Sequence, residues 1–343
     1  MPESADLDHL VGFGDILEAR DRIAGHVHRT SLLTSTTAAA WISAAGGGRL
    51  GDDRLYLKAE HLQKTGSFKP RGMTNRIVTL SDAAKASGVI TLSAGNAGQA
   101  YAWAGRTAGV AVTVVMPAGA VRSKVDACLG YGARVILHGA HVGETFAEME
   151  RIRDAEGLEF VHPFDDPMVI AGHGSIGLEL LEDLPEIDVV VVGVGGGGLI
   201  AGVAAALRER RPGVRVYGVE PERSNALSIA IERNEIVRIE PLSVADGLGA
   251  PFAGAWTVAM ARRYLDGIVL LDDPTILAGM RFAFERMKQV VEPAGAAALA
   301  AILAGRIPTR DGDRVAVVLS GGNVELARIG ELLGGASTLP GAG

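Results

Sequence analysis

Four short segments hold the side chains that could do chemistry. In KTGSFKPRG (64–72), Lys69 stands directly before Pro70. Proline suits the first turn of a helix, so a helix is expected from Pro70 to Val78 with Lys69 at its N-terminus. The positive end of a helix dipole disfavours an ammonium there, and partial burial beside Phe68 pushes the same way. An amine kept neutral near pH 7 can condense with an aldehyde or act as a base. The second segment has four consecutive glycines, Gly195, Gly196, Gly197 and Gly198, between a strand (188–194) and a helix (199–208). That order aims free backbone N–H groups and a helix N-terminus at a space only glycine can line closely, which suits a phosphate. The third, TLSAGNAGQ (91–99), offers hydroxyl, amide and backbone donors at a helix start, suited to a carboxylate. The fourth, LSGGN (319–323), puts Ser320 at the C-terminal end of a strand, where α/β sheets bind ligands. Each has a plainer reading by itself: a surface lysine, a tight turn, two helix caps.

The 193–198 loop also fits the dinucleotide fingerprint Gly193-x-Gly195-x-x-Gly198, and Glu220 ends the next strand, where a ribose-binding acid could sit. A nicotinamide-dependent oxidoreductase is therefore the rival reading. His138 and His141 form a pair without a third ligand and read as solvated. Ser175 lacks the glycine two positions before it that a nucleophile elbow needs. The 208–211 run and the pair Arg262 and Arg263 read as solvated helix faces.

These segments need elements to position them. β-Branched runs at 110–116, 133–137, 189–194, 214–219 and 315–319 read as strands buried on both faces, and 203–211 and 276–288 read as helices. Strands alternating with helices imply a mostly parallel sheet covered on both sides. The runs fall into two groups, about 81–160 and 185–325, and the Pro-, Gly- and Asp-rich stretch 161–175 reads as the connection. Two α/β lobes with a cleft between them are expected. The 343 residues are 48% hydrophobic and 21% charged, which supports a large core. Net charge −7 argues against a nucleic-acid partner. Cys128 is the only cysteine, which removes intrachain disulfides, thiolate zinc sites and iron–sulfur clusters. The first ten residues carry three acids and no Lys or Arg, so neither a signal nor a transit peptide is expected. The stretch 189–207 is uncharged for 19 residues, but six are glycine, so it reads as strand, loop and helix rather than a membrane span. A cytoplasmic protein is expected.

Taken in order, KTGSFKPRG, SAGNAGQ, PFDDPMVIAGHGSIGLEL, GGGGL, EPERSNA, ADGLG, EPAGAAALA and SGGN resemble the fold-type II pyridoxal-phosphate enzymes. The likeness is to the serine/threonine dehydratase (ammonia-lyase) group, which includes serine racemase, and it spans about residues 15–333. It implies an α/β fold like that of the tryptophan synthase β chain, with two open, twisted, mostly parallel sheets flanked by helices. It further implies a large cofactor-binding domain (1–80 and 161–335), a small mobile domain closing on substrate (81–160) and a flexible tail (336–343). Lys69, Ser93 and Ala94 take the catalytic positions, with Lys69 joined to the cofactor and serving as general base. Phe68 packs beside the ring, Asn96 bonds its hydroxyl, Ser320 faces its nitrogen, and Gly195, Gly196, Gly197, Gly198 and Leu199 hold the phosphate. Ser93, Ala94, Gly95, Asn96 and Ala97 hold the substrate carboxylate.

The implied activity is elimination of water from L-threonine or L-serine to give 2-oxobutanoate or pyruvate plus ammonia. A lyase for another 3-hydroxy amino acid (hydroxyaspartate, phenylserine), a serine racemase and an idle ligand-sensing relative share these motifs. Racemases carry a second serine where this chain has Ala94, a feature it shares with liver-type L-serine dehydratases, so weak racemisation is expected. Glu220, Ala226 and Ser228 resemble a monovalent-cation site, potassium rather than magnesium, since divalent ions prefer more carboxylate charge. Too few residues follow Ser320 for the regulatory domain of biosynthetic threonine dehydratases. A homodimer is expected from the family.

Overall fold

In the computed structural model, which describes residues 10–334, the apolar runs become strands with both faces covered. The strands are β1 (Leu32–Ser35), β2 (Leu55–Lys58), β3 (Val89–Leu92), β4 (Val112–Met116), β5 (Arg134–Leu137), β6 (Glu159–Phe160), β7 (Val189–Gly193), β8 (Arg215–Pro221), β9 (Gly267–Leu271) and β10 (Val315–Val318). A six-stranded sheet runs β1-β2-β10-β7-β8-β9 and a four-stranded sheet runs β5-β4-β3-β6. Every pairing is parallel except β1 with β2. The fold is the expected two-sheet α/β arrangement.

Burial on both faces explains why the strands lack alternation. In β7, Val190 and Val192 enter one core while Val189 and Val191 enter the other. In β10, Ala316 and Val318 divide from Val315 and Val317 in the same way. One core lies under the helices Phe13–Ile23, Pro167–Asp183, Gly198–Arg210 and Ala255–Tyr264, the other under Thr36–Ala44, Asp273–Met287 and Pro293–Leu303. The helix Pro70–Val78 sends Met73 and Ile77 into the core of the four-stranded sheet, beside Val89, Val112 and Val114. It therefore touches both lobes.

The stretch 161–175 is not simply a connection. Most of it is the first half of the helix Pro167–Asp183, with Pro167 at its first position and Asp166 capping it through Oδ1 to the N–H groups of Met168 and Val169. Its glycines serve close packing. A Cβ at Gly172 would lie 2.5 Å from the Arg71 carbonyl oxygen, and one at Gly177 2.8 Å from that of Val203. The uncharged run 189–207 divides between β7 and the helix Gly198–Arg210. Among the described residues no helix is long and apolar enough to cross a membrane. The expected tail (336–343) and all but the last of the first ten residues lie outside the described residues.

Candidate active site

The motif loops leave the C-terminal ends of neighbouring parallel strands, where open α/β sheets bind ligands. The chain after β2 leads to Lys69, that after β10 to Ser320, and that after β7 to the glycines. Backbone contacts join the first two: Ser67 bridges to Gly321, and the N–H of Phe68 donates to the Ser320 carbonyl at 3.1 Å. Lys69 is the N-cap of the helix Pro70–Val78, and its Nζ donates to the Pro163 carbonyl at 2.9 Å. Nζ also lies 5.1 Å from the centre of the Phe68 ring. Loss of water around the amine pushes it down to about 8.

Phe164, the residue after Pro163, packs onto the glycine loop. A Cβ at Gly196 would lie 2.3 Å from its ring, and one at Gly198 2.5 Å from its carbonyl oxygen. Gly197 has φ +90°, a conformation that favours glycine. The N–H groups of Gly195, Gly196, Gly197, Gly198 and Leu199 donate to no acceptor among the described residues. They surround the start of the helix Gly198–Arg210. A row of free donors at a helix N-terminus is suited to an anion.

The Ser93 loop sits at the end of β3. Ser93 Oγ accepts from the N–H groups of Gly95 (3.3 Å) and Gly98 (3.1 Å), which ties its side chain to the turn ahead of the helix Asn96–Ala108, whose N-cap is Gly95. The N–H groups of Ala94, Asn96 and Ala97 have no acceptor among the described residues. Asn96 reaches the other lobe: its Nδ2 donates to Glu292 Oε1 at 2.6 Å, and its Oδ1 accepts from Asn323 Nδ2 at 2.8 Å. Ser320 is buried and follows the C-terminal end of β10.

Three features escape sequence reasoning. Glu292 precedes Pro293 at a helix start and reads as a cap, yet its side chain caps nothing and turns to Asn96. Burial pushes its carboxyl up to about 7. Next, Arg71 forms a buried cluster behind Lys69. Its Nε and Nη2 each lie 2.8 Å from Glu60, and its Nη1 and Nη2 lie 2.6 and 2.9 Å from Glu179. Lys58 Nζ joins Glu179 at 2.6 Å. Finally, His173 is fully buried, stacks edge-on against Phe68 at 4.7 Å, and accepts from the Gly72 N–H, which leaves its Nε2 without a partner. Burial keeps it neutral.

Glu220, Ala226 and Ser228 do come together. Both Glu220 oxygens accept from the start of the helix Ala226–Arg233, Oε1 from the Leu227 N–H and Oε2 from the Ser228 N–H, each at 2.9 Å. Burial raises this carboxyl to about 7. It is fully buried and already used as a cap, so it is not free to bind a ribose, which removes the acid the oxidoreductase reading needs. Among the described residues, no group of three or more His, Cys, Asp or Glu side chains is placed to hold a metal ion. Ser175 donates to the Gly172 carbonyl and supports Arg71. Arg208, Arg211 and Arg262 are not simply solvated, because each donates to backbone carbonyls.

A family model described as "Pyridoxal-phosphate dependent enzyme" matches residues 24–321. The chain is 40% identical to an L-threonine ammonia-lyase of Thermotoga maritima, over 94% of this chain and 78% of that one. It is 39% identical to the catabolic L-threonine dehydratase of Escherichia coli K12, over 94% and 96% of the two chains. The solved structure of maize serine racemase superposes with a TM-score of 0.86 at 33% identity, covering 94% of this chain and 97% of that one.

Proposed function

The chain belongs to the pyridoxal-phosphate dependent enzymes, in their serine and threonine dehydratase group, and from that premise we propose that it is an L-threonine and L-serine ammonia-lyase. It eliminates the β-hydroxyl and releases 2-oxobutanoate or pyruvate together with ammonia. One observation carries the reading: the desolvated amine of Lys69 and the donors of the glycine loop meet at a single segment, Pro163 against Nζ and Phe164 against Gly196 and Gly198.

The residues fit the cofactor. A neutral amine can condense with its aldehyde, and the N–H groups of Gly195, Gly196, Gly197, Gly198 and Leu199 can take its phosphate. Asn96, Phe68 and Ser320 are assigned to the ring hydroxyl, the ring face and the ring nitrogen. When bound, pyridoxal phosphate supplies an electron sink for the charge left at Cα. Lys69 Nζ takes the Cα proton as general base. The free N–H groups of Ala94, Asn96 and Ala97 hold the substrate carboxylate. The small lobe (81–160) closes over the cleft and excludes water. Ser320 offers a neutral hydroxyl where a carboxylate would stabilise a protonated ring, which favours prompt elimination over transamination. Ala94 has no proton to return to the opposite face of Cα, so racemisation is weak.

A single carboxylate, Glu220, suits a monovalent ion better than a divalent one. The structure uses that carboxylate as a helix cap, so no step is assigned to a cation. Activity that is the same in potassium and sodium but restored by magnesium after chelation would reverse the monovalent assignment. We also propose a cytoplasmic homodimer, on the family resemblance.

The test is the visible spectrum of the purified protein before and after borohydride, with peptide mapping of the reduced adduct. L-Threonine and L-serine are then added, and ammonia and 2-oxo acid are measured. The expected result is a yellow protein labelled at Lys69 that releases both products. A colourless protein, a label elsewhere or no ammonia refutes the proposal.

A further inference from the structure

We infer that the short turn Asp246–Leu248 couples closure of the small lobe to the phosphate cradle, with Lys124 and Asp246 as its positioning residues. The inference rests on the proposed role of the glycine loop. Lys124 stands on the helix Arg122–Gly130, which packs beside the four-stranded sheet, and its Nζ lies 2.6 Å from Asp246 Oδ2. Its side chain is only 13% exposed. Arg328, on the helix Leu326–Gly334, approaches the same oxygen at 3.8 Å. One carboxylate thus serves a cation from each lobe.

The other side of this turn is the wall behind the glycines. A Cβ on Gly195 would lie 3.2 Å from Leu248 Cα and 3.3 Å from the Gly247 carbonyl oxygen. A Cβ on Gly247 would in turn lie 2.8 Å from Ala294 Cβ, two residues beyond Glu292. Backbone rests on backbone with no side chain between, so a displacement of the turn passes directly to Gly195. The bond from Asn96 to Glu292 brings a second link between the lobes to the same place. Neither Lys124 nor Asp246 is among the residues assigned to cofactor or substrate, so their influence runs through the turn.

The test titrates apoenzyme with pyridoxal phosphate for wild type, Lys124→Met, Asp246→Asn, the double variant and Lys124→Arg. Hydrogen exchange is followed in the peptide covering 195–199. Each single neutralisation should weaken cofactor binding about 5-fold, the range of a partly exposed ion pair, and speed exchange at 195–199. The double variant should be no weaker than Asp246→Asn alone, because that change already removes the partner of Lys124. Lys124→Arg, which keeps the cation facing Asp246, should match wild-type behaviour. Singles with wild-type affinity and exchange, or losses that multiply to about 25-fold in the double, overturn the inference. A wild type that takes up no pyridoxal phosphate overturns the glycine-loop reading and this inference with it. A wild type that binds while its variants match it overturns the inference alone.

Discussion

The titration of Lys69 can be measured without any cofactor present. A free lysine amine titrates near 10.5, and burial in the cleft brings Lys69 down to about 8. At pH 7 an amine of pKa 8 is about one-tenth neutral, against roughly one part in 3,000 at 10.5, a gain of about 300-fold in the reactive form. The assay is competitive acetylation of the apoprotein with trace acetic anhydride from about pH 6 to about pH 11, with a free lysine derivative as reference. Mass spectrometry of the peptide containing Lys69 gives the profile. Labelling should be half-maximal near pH 8 for Lys69 and near 10.5 for the reference. Coincident profiles would refute the argument. The sign for stability follows from the same shift. Between pH 8 and 10.5 the unfolded chain binds more protons than the folded one, so the contribution of Lys69 to stability rises with pH across that window. Below pH 8 the cost of the desolvated ammonium is at its full value. Lys69→Met should therefore stabilise the apoprotein most at or below pH 8 and progressively less toward 10.5. An apoprotein destabilised by this change at pH 7 would contradict it.

Arg71→Met leaves buried Glu60 with the Thr30 hydroxyl and Glu179 with Lys58, and should cost about 3–5 kcal/mol, read as a lower urea midpoint. An unchanged midpoint would show that the cluster repacks. Gly198→Ala drives a methyl group against the Phe164 carbonyl and should weaken pyridoxal phosphate binding by about 2 kcal/mol, roughly 30-fold, measured by titrating apoenzyme. Wild-type affinity would show that the loop can yield. Ala94→Ser supplies the missing hydroxyl and should raise the yield of D-serine from L-serine in chiral chromatography. An unchanged ratio of enantiomers counts against the role given to Ala94.

The sequence was most legible where one local pattern had one physical meaning. Valines feeding two cores made β7 and β10 visible, and Pro70 placed Lys69 at a helix start. It was least legible where meaning depended on distant partners. Arg71 looks like any basic residue beside a lysine until Glu60 and Glu179 arrive from other elements. Glu292 has the pattern of a helix cap, and only the approach of Asn96 gives it another use. β1 (LLTS) is an edge strand with half-exposed residues and a polar second half, so it lacks the continuous apolar run that marks a central strand. The connection inferred at 161–175 failed for a related reason: its glycines look like breakers, yet they let helices meet backbone to backbone.

Ser93 and its neighbours hang from the four-stranded sheet, whereas Lys69, the glycine loop and Ser320 hang from the six-stranded one. This division makes the two halves of the site separately editable. Changing Ser93, Ala94 and Gly95 at the end of β3 while keeping Asn96 would change what is gripped and leave the contacts to the coenzyme in place. New specificities could then arise in this scaffold without rebuilding its foundations.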